Sequence, residues 1–342
     1  MAQSQRAFIT GATGQDGSYL TEFLIDHGYT VAVLLRANST GHLGNIAHLA
    51  GHPQLVIYRG DLADNASLEA ALYDFDPREI YNLGAEAAPF DSFARPVYTS
   101  DINALGPLRL FEAAKRMYKR GNPVRIYQAS TSEMFGAPTI VPQNELTPFK
   151  PNNPYGTAKL FAHNQARILR EGTANMFISC GILFNHESPR RGMQYVTRKV
   201  SVAVACIKNR VREVPLNELG QPIITKEWKL QMGNLDAQRD WGYSPDYIRA
   251  MYMMLHHDKP DDFVIATGET HTIKELCEVA FAHVGLDYRD HVEVNPAFVR
   301  PLETGPLCGD ATKAKEVLKW ERRNKFNELI GLMVDADLAK FS

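Results

Sequence analysis

Short, unbroken apolar runs alternate with longer stretches of helical periodicity over the first half of the chain. Ala7-Phe8-Ile9-Thr10, Thr30-Val31-Ala32-Val33-Leu34-Leu35, Val56-Ile57-Tyr58-Arg59-Gly60-Asp61-Leu62, Glu79-Ile80-Tyr81-Asn82-Leu83-Gly84-Ala85 and Ile126-Tyr127-Gln128-Ala129 read as strands. Between them, Tyr19, Leu20, Phe23 and Leu24 recur at helical spacing, and a further helix is expected around Leu105 to Tyr118. Continuous apolar strands are buried on both faces, so this alternation predicts an α/β fold: a doubly wound parallel sheet covered by helices on each side. Phe263 to Ala266 predicts one more strand returning to that sheet.

Between the first strand and the first helix lies Gly11-Ala12-Thr13-Gly14-Gln15-Asp16-Gly17. Glycines at this spacing let the backbone turn sharply and approach a pyrophosphate, while the helix amino terminus offers amide protons and partial positive charge. The second strand ends in Arg36. An acid there would take the ribose hydroxyls of NAD; an arginine suits the extra phosphate of NADP, with Asn38 and Ser39 as further donors. A solvated surface arginine is the plainer reading. The third strand leads to Asp61, an acceptor for an adenine amino group, and the fourth ends in small residues that permit close approach.

A second constellation follows. Ser130-Thr131-Ser132-Glu133 comes at the carboxyl end of a strand, and Tyr155-Gly156-Thr157-Ala158-Lys159 starts a helix that Asn152 and Asn153 can cap, with Pro154 in its first turn. Tyr155 and Lys159 are one helical turn apart on the same face. An ammonium beside a phenol lowers its pKa, so Tyr155 is expected to act as a proton acceptor. An accidental surface pair is the alternative, and its weight falls because a dinucleotide turn lies upstream.

The 342 residues allow a large core and a second lobe. A net charge of −2 excludes nucleic-acid binding by bulk charge. No apolar run is long enough for a membrane span, and the polar start of the chain carries no signal peptide. Cys180, Cys206, Cys277 and Cys308 lack metal-ligand spacing and read as reduced thiols of a cytoplasmic protein, so no metal site is expected.

The glycine spacing, Asp61-Leu62, Asn82-Leu83-Gly84-Ala85 and the Tyr155/Lys159 pair resemble the extended short-chain dehydrogenase/reductase superfamily. Gly11 to Leu20, Gln128 to Glu133, Gly181 to Gly192, Gly233 to Gly242 and Asp262 to Glu269 resemble, within it, the GDP-mannose 4,6-dehydratase family over nearly the whole chain. The resemblance implies a Rossmann-type dinucleotide-binding part, residues 1–184 with 240–275 returning to it, and a smaller nucleotide-sugar lobe from 185–239 and 276–342. It implies Thr131, Glu133, Tyr155 and Lys159 as the catalytic set. Tyr155 takes the C4 hydroxyl proton as hydride leaves for the nicotinamide. Glu133 removes the now acidic C5 proton and assists loss of the C6 hydroxyl, and hydride returns to C6. Thr131 bonds near the C4 oxygen, and Lys159 holds the cofactor ribose.

The implied cofactor is NADP, with NAD the less favoured choice, held by Gly11, Thr13, Gly14, Gln15, Asp16, Arg36, Asp61, Leu62, Leu83, Tyr98, Lys159, His186 and Arg191. A satisfied core histidine is the other reading of His186. The GDP-sugar would lie against Asn185, Lys199, Arg239, Arg300 and Glu303. Arg190 and Arg191 would reach a neighbouring subunit of a homotetramer or homodimer.

Where this family usually has Gln-Ser-His-Val, the chain has Glu86-Ala87-Ala88-Pro89, beside the expected nicotinamide and sugar. Its Arg36-Ala37-Asn38-Ser39 replaces the usual Arg-Arg-Ser-Ser, and Val211 to Lys229 is longer, with Pro215, Gly220 and Pro222 suggesting an added turn or hairpin. The first departure leaves open another GDP-sugar, such as a GDP-heptose. A nucleotide-sugar reductase or epimerase and a non-catalytic NADP-binding scaffold also remain.

Overall fold

The computed structural model describes residues 5–36, 42–172, 174–217, 220–298 and 307–342. Asn38, Ser39, Arg300 and Glu303 therefore lie outside the described residues. Strand and helix alternate as β1 (Arg6–Thr10), α1 (Gln15–Asp26), β2 (Thr30–Leu35), β3 (Leu55–Arg59), α2 (Asn65–Phe75) and β4 (Glu79–Asn82). After them come α3 (Asp91–Ala94), α4 (Pro96–Ser100), a π-helical turn at Asp101–Leu105, α5 (Gly106–Lys119), β5 (Arg125–Thr131), α6 (Pro154–Glu171) and β6 (Ile178–Leu183).

The chain then passes through β7 (Asn185–Glu187), α7 (Val196–Asn209), β8 (Leu230–Met232), β9 (Gln238–Arg239), β10 (Trp241–Tyr243), α8 (Ser244–His256) and β11 (Asp262–Ile265). It finishes with β12 (His271–Thr272), α9 (Ile273–His283), β13 (Val292–Val294), α10 (Thr312–Leu318) and α11 (Phe326–Lys340).

Seven parallel strands form the main sheet in the order β11-β6-β5-β4-β1-β2-β3. Strand alternation divides the side chains between two cores. Ala7, Ile9, Val31 and Val33 pack with α1 and α8 residues such as Leu20, Leu24, Met251 and Leu255. Phe8, Ala32 and Leu34 point the other way, among Leu68, Leu72, Leu110 and Phe111. Because the strand order reverses between β1 and β4, a crevice opens at their carboxyl ends, where such sheets bind ligands.

A third core lies outside the sheet, built from Val200 and Ile207 of α7, Leu276 and Phe281 of α9, and Leu329 and Met333 of α11. Its border with the sheet differs from the expected division in two places. Ala314, Leu318 and Trp320 pack with the sheet core, because Trp320 Nε1 donates to the Asp246 carbonyl at 2.8 Å. Trp241, expected on the dinucleotide side, packs into the third core instead. The long 211–229 stretch contains antiparallel bridges Leu216↔Pro222 and Ile224↔Leu230, in keeping with a hairpin.

Candidate active site

The glycine turn is fixed by what surrounds it. Gly11 has φ +74°, and a Cβ there would lie 2.8 Å from the Gly84 nitrogen; a Cβ on Gly17 would lie 2.3 Å from the Gly11 carbonyl oxygen. Only glycine lets β1, the start of α1 and the end of β4 come this close. Thr10 Oγ1 locks the junction: it accepts from the Leu83 and Gly84 amides at 3.1 and 2.9 Å and donates to Asn82 Oδ1 at 2.7 Å.

A cavity of about 510 Å³ opens over this turn. Gly11, Thr13, Gly14, Gln15 and Asp16 line it from the turn, Arg36 from the end of β2, Asp61 and Leu62 from after β3, and Leu83 from after β4. Arg191 closes the far wall. Tyr98, Lys159 and His186, also expected to hold a cofactor, are not among the described residues that line it. Tyr98 stands behind the arginine, accepting from Arg36 Nη1 at 2.9 Å.

His186 is buried. Its Nε2 meets Asp16 Oδ2 at 2.7 Å, its Nδ1 meets the Phe184 carbonyl at 2.7 Å, and its ring stacks on Tyr247. Burial alone would raise the Asp16 pKa, but the charge and hydrogen bond of His186, with a bond from Ser244 Oγ at 2.9 Å, hold it down at about 2. The same pairing overcomes burial at His186 and raises its pKa. The ion pair thus ties the dinucleotide turn to β7, the strand that carries Asn185.

β5 and α6 bring the expected catalytic residues together. Asn153 is the N-cap of α6: its Oδ1 accepts from the Gly156 amide at 2.7 Å, and its Nδ2 donates to Glu133 Oε2 at 2.9 Å. One side chain therefore starts the helix and aims the carboxylate. The Thr131 hydroxyl oxygen accepts from the Glu133 amide at 3.2 Å, and Thr131 also bonds to Tyr155. Lys159 Nζ lies 5.9 Å from the Tyr155 ring centroid and donates to the Ala129 carbonyl at 3.1 Å.

The electrostatics of this pair correct the sequence expectation. Burial, reinforced by Tyr195 and Glu133, pushes the Tyr155 phenol well above its ordinary value despite the opposing effects of Thr131 and Arg191. Burial also drops Lys159, to about 8. Desolvation disfavours both charged forms and outweighs their mutual attraction at this separation.

A second cavity, about 190 Å³, adjoins the first, and Arg191, Gln194 and Tyr195 line both. Glu133, Asn185, Lys199 and Arg239 line it. Of the three shared residues, Gln194 and Tyr195 escaped sequence reasoning. Glu187 pairs with Arg191 Nε at 3.1 Å and accepts from Thr197; the Arg191 guanidinium lies 3.6 Å from the Tyr195 ring centroid; and Tyr195 donates to the Ala87 carbonyl at 3.0 Å. The one signal for Gln194 and Tyr195 was their place just after the Gly181-to-Gly192 stretch. The Arg190 guanidinium lies against α1, where it bonds Ser18 and Glu22 and covers the Tyr19 ring.

A family described as GDP-mannose 4,6 dehydratase matches residues 8–333. GDP-mannose 4,6 dehydratase 1 of Arabidopsis thaliana is 44% identical over 339 residues, covering 97% of this chain and 89% of that protein. The Homo sapiens GDP-mannose 4,6 dehydratase is 44% identical over 355 residues, covering 97% and 91%. Among solved structures, dTDP-glucose 4,6-dehydratase from Bacillus anthracis in complex with NAD superposes with TM-score 0.79 at 21% identity, covering 97% of this chain and 96% of that one. RMD from Pseudomonas aeruginosa complexed with NADPH gives 0.78 at 20% identity, covering 98% and 100%. At such identities the structural likeness establishes the fold alone.

Proposed function

The chain belongs to the GDP-mannose 4,6 dehydratase family, and on that premise we propose that it removes water from GDP-mannose to give GDP-4-keto-6-deoxymannose. The observation that carries the proposal is the pair of adjoining cavities. Glu133 lines the smaller, the glycine turn lines the larger, and Asn153, the cap of the helix that carries Tyr155, holds the Glu133 carboxylate, while Thr131 bonds Tyr155.

The larger cavity fits a nicotinamide dinucleotide, since added Cβ atoms at Gly11 and Gly17 would collide with the backbone that shapes its floor. Gly11 to Asp16 would hold the diphosphate, Asp61 and Leu62 the adenosine, and Arg36 the additional phosphate of NADP. When bound, the cofactor supplies a reversible store for one hydride. Tyr155 would accept the proton of the C4 hydroxyl as its phenolate, which burial alone disfavours and the positive charge of an oxidised nicotinamide would favour, while Thr131 bonds the same oxygen. Glu133 would remove the C5 proton, which the C4 ketone acidifies, and pass it to the C6 hydroxyl as that group leaves as water; the proton that Tyr155 took from the C4 hydroxyl would then go to C5, leaving both side chains as they began. Lys199 and Arg239, in the smaller cavity, are suited to a diphosphate by charge-assisted hydrogen bonds. The family resemblance adds Arg300 and Glu303, outside the described residues, to the proposed GDP contacts.

Residues 1–184 with 240–275 form the proposed dinucleotide part, and 185–239 with 276–342 the sugar-nucleotide part, allowing for the exchanges at Trp241 and 311–320. Assembly as a homotetramer or homodimer belongs to the same proposal, supported by exposed Phe90, Phe93 and Val97 and tested by light scattering. No described helix is long and apolar enough to cross a membrane. Four free cysteines favour a reducing, cytoplasmic setting.

The test is incubation of the purified protein with a panel of GDP-sugars and either NADP or NAD, read by mass spectrometry. Loss of one water from GDP-mannose supports the proposal. No loss from GDP-mannose, with turnover of a GDP-heptose, would transfer it to another GDP-sugar; the lining positions of Glu86, Ala87 and Pro89 motivate that arm.

A further inference from the structure

His163 lies two turns beyond Tyr155 and one beyond Lys159 on the same face of α6. Those two turns grip consecutive residues of β5 just before Thr131. Lys159 Nζ donates to the Ala129 carbonyl at 3.1 Å, and His163 Nδ1 meets Ser130 Oγ at 3.0 Å. Both Ser130 and His163 are buried, at 5% and 3% exposure. On its other side the imidazole presents Nε2 to Asp262 Oδ2 of β11 at 3.6 Å. Arg170, two turns further along α6, forks onto both Asp262 oxygens at 2.7 and 2.9 Å and donates to the Ile178 carbonyl of β6 at 3.2 Å.

His163, Cys180 and Asp262 carry metal-ligating atoms within 4.8 Å of one another. The arrangement nevertheless serves another purpose. Arg170 already holds both carboxylate oxygens, Ser130 engages one ring nitrogen, and a cation would lie against a guanidinium. Burial lowers the pKa of His163, against the pull of Asp262, and so favours the neutral ring. A neutral ring with Nε2–H turned to Asp262 leaves Nδ1 to accept from the Ser130 hydroxyl. The result is a buried brace running from β5 through α6 to β11.

We propose that His163 is a positioning residue for the dehydration: by accepting the Ser130 hydroxyl while facing Asp262, it fixes the register of α6 on β5 and so the placement of Tyr155 against Thr131. This inference rests on the dehydratase reading. Displacement of a reacting group by about 1 Å can cost roughly 100-fold in rate, so a brace one residue from Thr131 is well placed to matter.

The experiment compares Ser130→Ala, His163→Gln and His163→Asn with wild type, using GDP-mannose and the cofactor-loaded enzyme. Ser130→Ala removes the donor, His163→Gln offers a polar group where Nε2 stood, and His163→Asn offers an acceptor where Nδ1 stood. Ser130→Ala and His163→Gln are expected to lower kcat about 10- to 100-fold, with KM and cofactor Kd little changed and a larger primary isotope effect from C4-deuterated sugar. His163→Asn is expected to restore most of kcat. Unchanged kcat in Ser130→Ala, or losses that follow Tm and KM alike, would overturn the proposal. Ser130→Ala deletes a single oxygen and decides the matter if the histidine variants fail to fold. Ring-nitrogen NMR of His163 in the wild-type protein separates the two levels of inference. If the wild type leaves GDP-sugars unchanged, the dehydratase reading falls, while a neutral ring with Nε2–H still supports the brace and a cationic ring or Nδ1–H tautomer overturns it.

Discussion

Replacing Asp16 by Asn removes one charge from the dinucleotide turn and almost nothing else. In the native protein the carboxylate takes His186 Nε2 at 2.7 Å, Ser244 Oγ at 2.9 Å and Gln15 Nε2 at 3.1 Å. Its pKa is held at about 2 against an ordinary 3.8. At about 1.4 kcal/mol per pKa unit, this depression contributes about 2 kcal/mol of stability. The sign follows from the direction at each partner. The Asp16 contribution is present above the unfolded value of 3.8 and is lost as pH falls towards about 2. The His186 contribution, whose folded pKa is raised, is complete below 6.5 and is lost as pH rises through the folded value. The gap between wild type and Asp16→Asn in urea unfolding is therefore expected to reach about 2 kcal/mol near pH 6, to shrink to roughly half near pH 3, and to narrow again near pH 9. A gap that does not change with pH, or one that widens towards pH 9, would refute the ion pair as its source.

Three further outcomes follow from the same geometry. Tyr155→Phe should abolish all turnover, whereas Glu133→Gln should still oxidise C4 slowly, seen as a change in nicotinamide absorbance, while forming no dehydrated product by mass spectrometry; equal dehydration by both would contradict the assigned roles. Gly17→Ala should destabilise the fold by about 1–3 kcal/mol and abolish dinucleotide binding by titration, because its Cβ would stand 2.3 Å from the Gly11 carbonyl oxygen. Burial raises all four thiols, Cys206 to about 11 and Cys277 to about 12, so a thiol reagent at pH 7 should label only the half-buried Cys308 quickly, and all four cysteines once the chain is unfolded.

What could be read from the sequence was what local chemistry dictates. The strand, glycine turn and helix at the start, the Asn153 cap with Pro154 in the first turn of α6, and the strand at Asp262–Ile265 each follow from residue type and period. What escaped depends on packing between distant segments. Only the fold brings His186 beside Asp16, 170 residues away in the chain. Lys159 next to Tyr155 suggested a lowered phenol, but burial, which no spacing encodes, dominates. The sequence marked Glu86 to Pro89 as unusual without showing that Tyr195, more than a hundred residues later, bonds the Ala87 carbonyl. Likewise the π-helical turn at Asp101–Leu105 becomes intelligible from Asn103, which bonds both the amide and the carbonyl of Glu86 at 2.8 and 2.9 Å and holds that segment at the cavity wall.

The central claim is that the sugar is oxidised at C4 before it loses water and is reduced again at C6 within one active site. It is tested most directly by supplying GDP-mannose carrying deuterium at C4 and locating the label in the product by NMR. The account predicts deuterium on C6 of the same molecule, without dilution by unlabelled substrate present in the mixture. Deuterium retained at C4, or washed out into solvent, would contradict it.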